Sequence, residues 1–149
     1  MQGPSFRLAT VRSLGFIGSA AREAVPVLAG LLDDKDVDLC WETAKTLSLI
    51  GEESIPYLIP FLRHSDPIVR QAAAYALGQI GPHAEEAVPA LIQALGDSHL
   101  VVRDTTVGSL VNIGPPAVPA LLRAVDEQRG NIQRGAAKCL AKLAFTRRA

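Results

Sequence analysis

Apolar positions in this chain recur with a long period as well as with a helical one. A leucine returns after 33, 30, 33 and 30 residues, each time within a stretch of similar sequence. The recurring residues are Leu14, Leu47, Leu77, Leu110 and Leu140. Periods near 30 residues are typical of stacked repeat proteins, in which each unit buries its apolar face against its neighbours. The pattern therefore predicts a repeat architecture.

Each recurring leucine lies on a predicted helix, which we call a second-type helix. In the third repeat this helix reads IVRQAAAYALGQI, and its apolar residues follow the spacing i, i+4, i+7, i+8 and i+11. They are Val69, Ala73, Ala76, Leu77 and Ile80, which share one helix face. An Ile-Gly pair ends four of these helices, and we expect each glycine to form a left-handed cap.

A proline follows each of these glycines, and a first-type helix is predicted to begin there. The prolines are Pro26, Pro56, Pro89 and Pro119, and an apolar run follows each one. Proline suits the first turn of a helix because it loses no hydrogen bond there. The distance from each proline to the next recurring leucine is always 21 residues. The three-residue difference between the repeat periods therefore lies in a loop. Pro60 lies inside such a run and should kink or shorten its helix.

These patterns predict an all-α protein of about nine helices in one domain over residues 1–149. The units fall at about 6–36, 37–67, 68–100, 101–130 and 131–149. Linkers rich in Asp and Ser precede the second-type helices and should cap them. Neither end shows a dedicated polar cap, which repeat stacks normally need. Two interpretations follow: the chain is a fragment, or its ends associate with another subunit, including a second copy of itself.

Composition and charge narrow the class of function. Apolar residues make up 48% of the chain and aromatic residues 5%, which suits closely packed helices. The 15 basic and 15 acidic residues cancel, and this balance argues against a dedicated nucleic-acid binder. Residues 33–53 hold seven acids and two lysines, whereas the chain from residue 131 onward holds five bases and no acid. These clusters are either ordinary solvated faces or parts of a binding surface.

The cysteines and the apolar stretches indicate the cellular compartment of the protein. Cys40 and Cys139 lie three repeats apart. At a helix spacing of ~8–10 Å, they are too distant for a disulfide, which needs Cα atoms within ~7 Å. Reduced thiols favour the cytoplasm. The first residues contain no apolar signal-peptide core, and no stretch is long and apolar enough to span a membrane. We therefore expect a cytoplasmic protein.

The third unit carries a recognisable motif. Residues 66–81 read Asp-x-x-Val-Arg-x-x-Ala-Ala-x-Ala-Leu-Gly-x-Ile-Gly, and residues 87–91 read Ala-Val-Pro-x-Leu. This resembles the HEAT repeat, in the short bacterial form also found in bilin-lyase-like proteins. The similarity extends over about residues 6–144. It implies an armadillo-like superhelix, or α-solenoid, whose Val-Arg helices line the concave side. It also implies that Asp and Arg residues join neighbouring units in a ladder, so Arg70 and Arg103 are expected to be structural.

No constellation in the sequence predicts catalysis, and we expect no cofactor. The histidines His64, His83 and His99 fall on opposite edges of the predicted stack, which makes a poor metal site, and are interpreted as solvated loop residues. Ser13, Ser109 and the cysteines have no histidine base nearby in sequence. Some HEAT-type enzymes bind iron through His-Glu pairs, which are absent from this sequence. HEAT-like DNA glycosylases have a basic and aromatic concave face, which this sequence does not predict.

The candidate binding surface is the outward side of the second-type helices, which we call the outward stripe. Its early part is apolar and aromatic and its late part is basic. Its residues are Arg12, Phe16, Trp41, Lys45, Leu49, Gln71, Tyr75, Gln79, Asp104, Asn112, Arg134, Lys138 and Lys142. Trp, Tyr and Arg are enriched at interface hot spots. The stripe predicts a peptide or protein partner with an apolar anchor and an acidic tail. The alternative is that Phe16 and Trp41 only pack on a neighbouring turn.

The predicted function is that of a non-catalytic scaffold or adaptor that binds a partner protein or peptide on its concave face. The resemblance offers an alternative, a bilin lyase or a phycobilisome-associated factor. A designed repeat protein is a third interpretation. Designed repeats are near-identical, so the irregular first, second and fifth units argue against it. The sequence does not identify the partner.

Overall fold

The computed structural model describes residues 4–146, and these residues contain helices and no β-strand. The α-helices are α1 (Pro4–Ile17), α2 (Val25–Ala29), α3 (Val37–Ile50), α4 (Ile55–Leu58), α5 (Pro67–Ile80), α6 (Val88–Ala94), α7 (Leu100–Ile113), α8 (Val118–Glu127) and α9 (Gly130–Thr146). Short 3-10 segments cover Gly18–Ala24, Glu52–Ser54, Ile59–Arg63, Gly81–Ala87 and Pro115–Ala117. The predicted all-α class is confirmed. The basic residues Arg147 and Arg148 lie outside the described residues.

The predicted count of about nine helices includes two that are very short. Helix α2 has five residues and α4 has four, while the other seven have at least seven residues each. Helix α4 ends at Leu58, and the chain continues as a 3-10 helix from Ile59. Pro60 has no N–H to donate to an α-helical bond and its ring crowds the preceding turn, so the helix shortens here as predicted.

The helices form two layers. The second-type helices α1, α3, α5, α7 and α9 pack each against the next in chain order. The first-type helices α2, α4, α6 and α8, together with the 3-10 segment after α4, form the other layer. Each first-type helix also contacts the second-type helix that follows it. The core lies between the layers, where the recurring leucines meet the first-type helices.

Burial of the recurring leucines follows their place in the stack. Leu47, Leu77 and Leu110 are fully buried. Leu14 and Leu140, on the first and last described helices, are only half-buried. An inner unit is covered on both sides, whereas an end unit has a neighbour on one side only.

Most helix ends use the predicted residues, but α7 begins after His99 without the predicted side-chain cap, since Asp97 accepts from the His99 amide instead. Gly51, Gly81 and Gly114 have φ values of 103°, 77° and 79°, and each N–H donates to the carbonyl of the recurring leucine of its helix. A side chain with a Cβ would be strained at these φ values, so glycine ends the helix. Asp36 and Asp66 cap α3 and α5, each accepting a hydrogen bond from a first-turn amide.

A repeated polar contact joins neighbouring second-type helices. Thr46 Oγ1 donates to the carbonyl of Val11 at 2.9 Å, and Ser109 Oγ donates to that of Ala74 at 2.5 Å. Cys139 Sγ lies 3.8 Å from the carbonyl of another preceding helix, at the same repeat position. The serine and the cysteine are therefore explained by packing, since each meets a buried carbonyl.

Helices α5 and α7 approach closely where these contacts occur. A Cβ built on Gly78 would lie 2.7 Å from the Cα of Ser109. Only glycine leaves room for the neighbouring backbone at that distance. The glycine of the motif thus sets the separation of the two helices.

The thiols of Cys40 and Cys139 should not react with iodoacetamide in the folded protein. Both cysteines are buried and free, and burial raises the pKa of Cys40 to about 11 and that of Cys139 to about 12. The thiolate is the reactive species, and neither side chain forms it at neutral pH. Mass spectrometry should find both residues alkylated after unfolding and neither before. Rapid alkylation of the native protein would contradict the buried positions.

Candidate partner-binding surface

A buried ion pair fixes the loops beneath the second-type helices. Arg70 donates to both carboxylate oxygens of Asp97, with Nε to Oδ2 at 2.7 Å and Nη2 to Oδ1 at 3.1 Å. The two side chains are only 12% and 8% exposed. Burial alone would raise the pKa of Asp97, but the hydrogen bonds from Arg70 and from the His99 amide hold it below its ordinary value. Arg70 thus has the structural role expected of it.

The same contact occurs two units earlier in the stack. Arg7 donates to Asp34 at 2.7 Å, with the same separation of 27 residues as between Arg70 and Asp97. The Asp36 amide and Arg7 together lower the pKa of Asp34. Arg103 donates instead to the carbonyl of Asp97 at 2.7 Å. Ion pairs therefore occur in alternate units, each between a second-type helix and the linker after the following first-type helix, and Arg103 is also structural.

Two histidines belong to this ladder; His83 and His99 are exposed as expected of solvated residues, whereas His64 is not. His64 is half-buried, stacks on Phe61, and accepts a hydrogen bond at Nδ1 from the Asp66 amide. His99 Nδ1 lies 3.2 Å from Nη2 of Arg70. No group of three or more potential metal ligands occurs among residues 4–146. The histidines therefore help to shape the loops around Arg70.

The outward stripe lies on the surface of the second-type layer. Ten of its residues are exposed and three, Trp41, Gln71 and Tyr75, are half-buried. The exposed ones are Arg12, Phe16, Lys45, Leu49, Gln79, Asp104, Asn112, Arg134, Lys138 and Lys142. None of the thirteen is buried, so all are available for contact. Their role in binding stays a prediction.

The most exposed apolar part of the stripe is formed by α1 and α3. Phe16 is 84% exposed and Leu49 is 59% exposed. They lie near the C-terminal ends of α1 and α3, two helices that pack against each other. Large apolar side chains at this exposure contribute little to the core. The alternative that Phe16 only packs on a neighbouring turn does not fit this exposure.

Trp41 and Tyr75 form an aromatic pair on adjacent helices. Their ring centroids are 5.8 Å apart with an interplanar angle of 75°, which is an edge-to-face arrangement. Trp41 also packs against the core. Each ring therefore has a structural contact, and each keeps an exposed part that a partner could cover.

Polar contacts link neighbouring helices along the stripe. Arg12 pairs with Glu42 at 3.2 Å, and Lys138 approaches Asp104 at 3.9 Å. Gln71 donates to Thr105 at 3.1 Å. The hydrogen bond to Glu42 raises the pKa of Arg12 further. The sequence analysis did not single out Glu42 or Thr105. Glu42 and Thr105 occupy the same position in their repeats, and this shared position could have identified them.

The late part of the stripe is basic. Arg134 and Lys138 line a cavity of 220 Å³ between α7 and α9, together with Arg103 and the apolar Leu100. Asp104 is the one acid that lines it. A cavity lined by cationic and apolar side chains suits a partner that carries a carboxylate beside an apolar side chain.

None of the helices in residues 4–146 is both long and apolar enough to cross a membrane.

Residues 44–110 match the family model for HEAT repeats. No curated protein matches the chain in sequence. The sequence resemblance to HEAT repeats is thus confirmed.

Several solved structures resemble this fold. The complex of CpcE and CpcF of phycocyanin lyase from Nostoc sp. PCC7120 aligns with 26% identity and a TM-score of 0.62, covering 97% of this chain and 62% of that one. Human deoxyhypusine hydroxylase in complex with glycerol aligns with 24% identity and a TM-score of 0.62, covering 81% and 43%. An engineered protein aligns with 24% identity and a TM-score of 0.53, covering 94% and 74%. This chain spans less than two thirds of both natural proteins.

Proposed function

Because residues 44–110 match the family model for HEAT repeats, we propose that this chain is a non-catalytic scaffold that binds a partner protein or peptide. The binding surface is the outward stripe, and the units form an α-solenoid with this stripe on its concave side. Repeat stacks of this kind offer long continuous surfaces to their partners. We place the protein in the cytoplasm, where its two thiols would stay reduced.

The observation that carries this proposal is the exposure of Phe16 and Leu49 at one end of the stripe. Their exposed fractions are 84% and 59%. Clustered apolar side chains on a surface mark sites of interaction. A standard interface covers ~800 Å² per partner, and five helices side by side supply a surface of that order.

The charge of the stripe defines the partner further. Arg134, Lys138 and Lys142 are exposed on α9. A partner that reaches from the apolar end to α9 would meet its basic side chains. We therefore expect a peptide segment with a large apolar anchor followed by acidic residues.

Peptides selected from a random display library against this protein should combine an apolar anchor with acidic residues. Replacing Phe16 and Leu49 together by alanine should weaken their binding by at least about tenfold, which is about 1.4 kcal/mol. The emission of Trp41, the one tryptophan of the chain, reports binding at the stripe. Replacing Trp41 and Tyr75 by alanine should weaken capture as well.

The matched control is Leu122→Ala, since Leu122 is 56% exposed on the first-type layer. It should leave peptide affinity unchanged. The free energy of unfolding of the Phe16/Leu49 variant should stay within about 0.5 kcal/mol of the parent. Peptides without this character, or peptides that bind the double variant equally well, would exclude the stripe as the binding surface.

A bilin lyase or phycobilisome-associated factor remains the second candidate, supported by the similarity to the phycocyanin lyase complex. A cavity of 710 Å³ lies beside Arg70, and Arg63, His64 and Gln93 are among its lining residues. This volume lies within the range of small-molecule sites. A phycobilin added to the purified protein should change its absorbance spectrum if this candidate is right. An unchanged spectrum would leave the scaffold as the function.

A further inference from the structure

Positive charge accumulates in the cavity between α7 and α9. Arg103, Arg134 and Lys138 all line this cavity of 220 Å³, and Asp104 is its one lining acid. Nζ of Lys138 lies 3.9 Å from Oδ1 of Asp104, which is a long contact for an ion pair. Three positive charges against one negative charge leave a local excess of two.

The two arginines of the cavity bind neutral oxygens within the chain. Nη1 of Arg103 donates to the carbonyl of Asp97 at 2.7 Å, and Nη2 of Arg134 donates to Oδ1 of Asn131 at 2.8 Å. Neither guanidinium pairs with a carboxylate in residues 4–146. A guanidinium carries several N–H donors in a planar fork that fits a carboxylate. Each arginine therefore keeps donors for an anion from outside the chain.

Other arginines on second-type helices are neutralised within the chain. Arg12 pairs with Glu42 at 3.2 Å, and Arg70 pairs with Asp97 at 2.7 Å. The cavity between α7 and α9 departs from this pattern. Its excess charge favours an anionic ligand, because opposite charge lowers the electrostatic energy of the site.

An apolar side chain lies beside these charges. Leu100, the first residue of α7, lines the cavity and is 61% exposed. The first turns of α7 and α9 both border the cavity, and neither contains an acid. The positive ends of the two helices therefore add to the charge of the arginines.

The volume of the cavity limits the size of the ligand. Its 220 Å³ is below the ~300–1,000 Å³ of typical small-molecule sites. The cavity therefore suits a single amino-acid residue, one that offers a carboxylate and an apolar group together.

We propose that this cavity binds the C-terminal residue of the partner polypeptide. Its free carboxylate contacts Arg103 and Arg134, and its apolar side chain covers Leu100. The last residue of a chain carries both groups on one Cα, whereas an internal Asp or Glu brings a carboxylate alone. The inference rests on the function proposed above, because Arg134 and Lys138 belong to the outward stripe, and it adds that the partner ends at α9.

The hexapeptide acetyl-GSGSGL with a free C-terminal carboxylate serves as the probe. At millimolar concentration it should shift the backbone amide resonances of residues 100–107 and 131–138 in the isotope-labelled protein, and the shifts should saturate. The same peptide with a C-terminal amide should bind at least about tenfold more weakly, because it has lost its negative charge. A peptide that ends in serine should also bind more weakly, because Leu100 then stays exposed.

Two further ligands separate other sources of a carboxylate. The peptide acetyl-GSGSEL with a C-terminal amide keeps one negative charge, but on an internal glutamate. Sodium acetate supplies a carboxylate without a peptide. If the glutamate peptide binds as tightly as the free acid, the cavity recognises internal acidic residues. If acetate does so, the site binds any small anion, and either result overturns the proposal.

A pair of protein variants with the same change in net charge locates the site. Arg134→Met should weaken the free-acid peptide by at least about tenfold, because it removes one guanidinium from the cavity. Arg123→Met, at an exposed position on α8 in the first-type layer, should leave the affinity unchanged. Arg134 is exposed as well, so resonances far from the cavity should show that both variants stay folded.

The measurements distinguish this inference from the function on which it rests. Saturable shifts that are weakened by amidation and by Arg134→Met support it. Absent shifts at the highest soluble peptide concentration, or equal binding of the acid and the amide, overturn it. The scaffold proposal still stands in that case if the library peptides bind the parent and lose affinity for the Phe16/Leu49 variant.

Discussion

Replacing Arg70 by methionine should lower the free energy of unfolding by about 3–5 kcal/mol. The change removes two hydrogen bonds to Asp97 and one each to the carbonyls of His64 and Ser65. Asp97 is 8% exposed and would be left as a buried carboxylate without its partner. Urea unfolding followed by circular dichroism measures the loss directly. Methionine keeps most of the side-chain volume, so the effect reports charge and hydrogen bonding.

The pH dependence gives this prediction a second measurement. The pKa of Asp97 is lower in the folded protein than its ordinary value of 3.8. A carboxylate of this kind stabilises the fold above its unfolded pKa, and the stabilisation is lost as the pH falls through the folded pKa. The parent should therefore lose stability below about pH 4, and the Arg70→Met variant should lose less over the same range.

Arg103 supplies the matched control. It makes one hydrogen bond, to the carbonyl of Asp97, and pairs with no carboxylate among the described residues. Arg103→Met should cost about 1 kcal/mol, the net value of a typical hydrogen bond. Adding Asp97→Leu to Arg70→Met should recover part of the loss, because no buried charge then remains. Equal effects of the two arginine changes would show that the ion pair is not the cause.

Leu77→Ala should destabilise the protein by about 2–5 kcal/mol. Leu77 is fully buried in the central unit, covered by helices on both sides. Its removal leaves a cavity that the close-packed alanines of α5 cannot fill by moving inward. Thermal or urea unfolding measures the change.

The control for this prediction is the same substitution at an end of the stack. Leu14 has the same repeat position on α1 but is only half-buried. Leu14→Ala should therefore cost less than Leu77→Ala, since fewer contacts are lost and solvent can enter. A larger loss of stability for Leu14→Ala than for Leu77→Ala would contradict the conclusion that the inner units hold most of the core.

Helix positions were predictable because they depend on local chemistry. The Ile-Gly pairs end α3, α5 and α7 at Gly51, Gly81 and Gly114, where φ is positive. Pro60 shortened its helix for an equally local reason, the missing N–H. The short length of α2 was not predicted, because the balance between α- and 3-10 turns depends on packing in the first-type layer.

The histidines show where sequence reasoning failed. His64 and His99 are 35 residues apart and resemble ordinary loop residues in the sequence. Arg70 brings them together, donating to the carbonyl of one and lying 3.2 Å from the ring of the other. Arg7 escaped notice for a similar reason, since its partner Asp34 lies 27 residues further along the chain, beyond α2. Contacts between such distant parts of the chain are not visible until the helices are packed.

For the outward stripe, the sequence indicated which residues face outward but not which of them contact each other. The periodicity placed Phe16 and Leu49 on the surface, and both are exposed. It could not show that Trp41 meets Tyr75 edge to face, or that Arg12 is already paired with Glu42. These pairings depend on the distance and rotation between neighbouring helices.

The sequence by itself determined the helical class, the repeat period, the helix ends and the residues that enter the core, because each follows from spacing and backbone chemistry within one unit. The tertiary structure decided the ion pairs of the ladder and the aromatic pair on the stripe. Those features arise from the close approach of segments that lie about 30 residues apart in the chain.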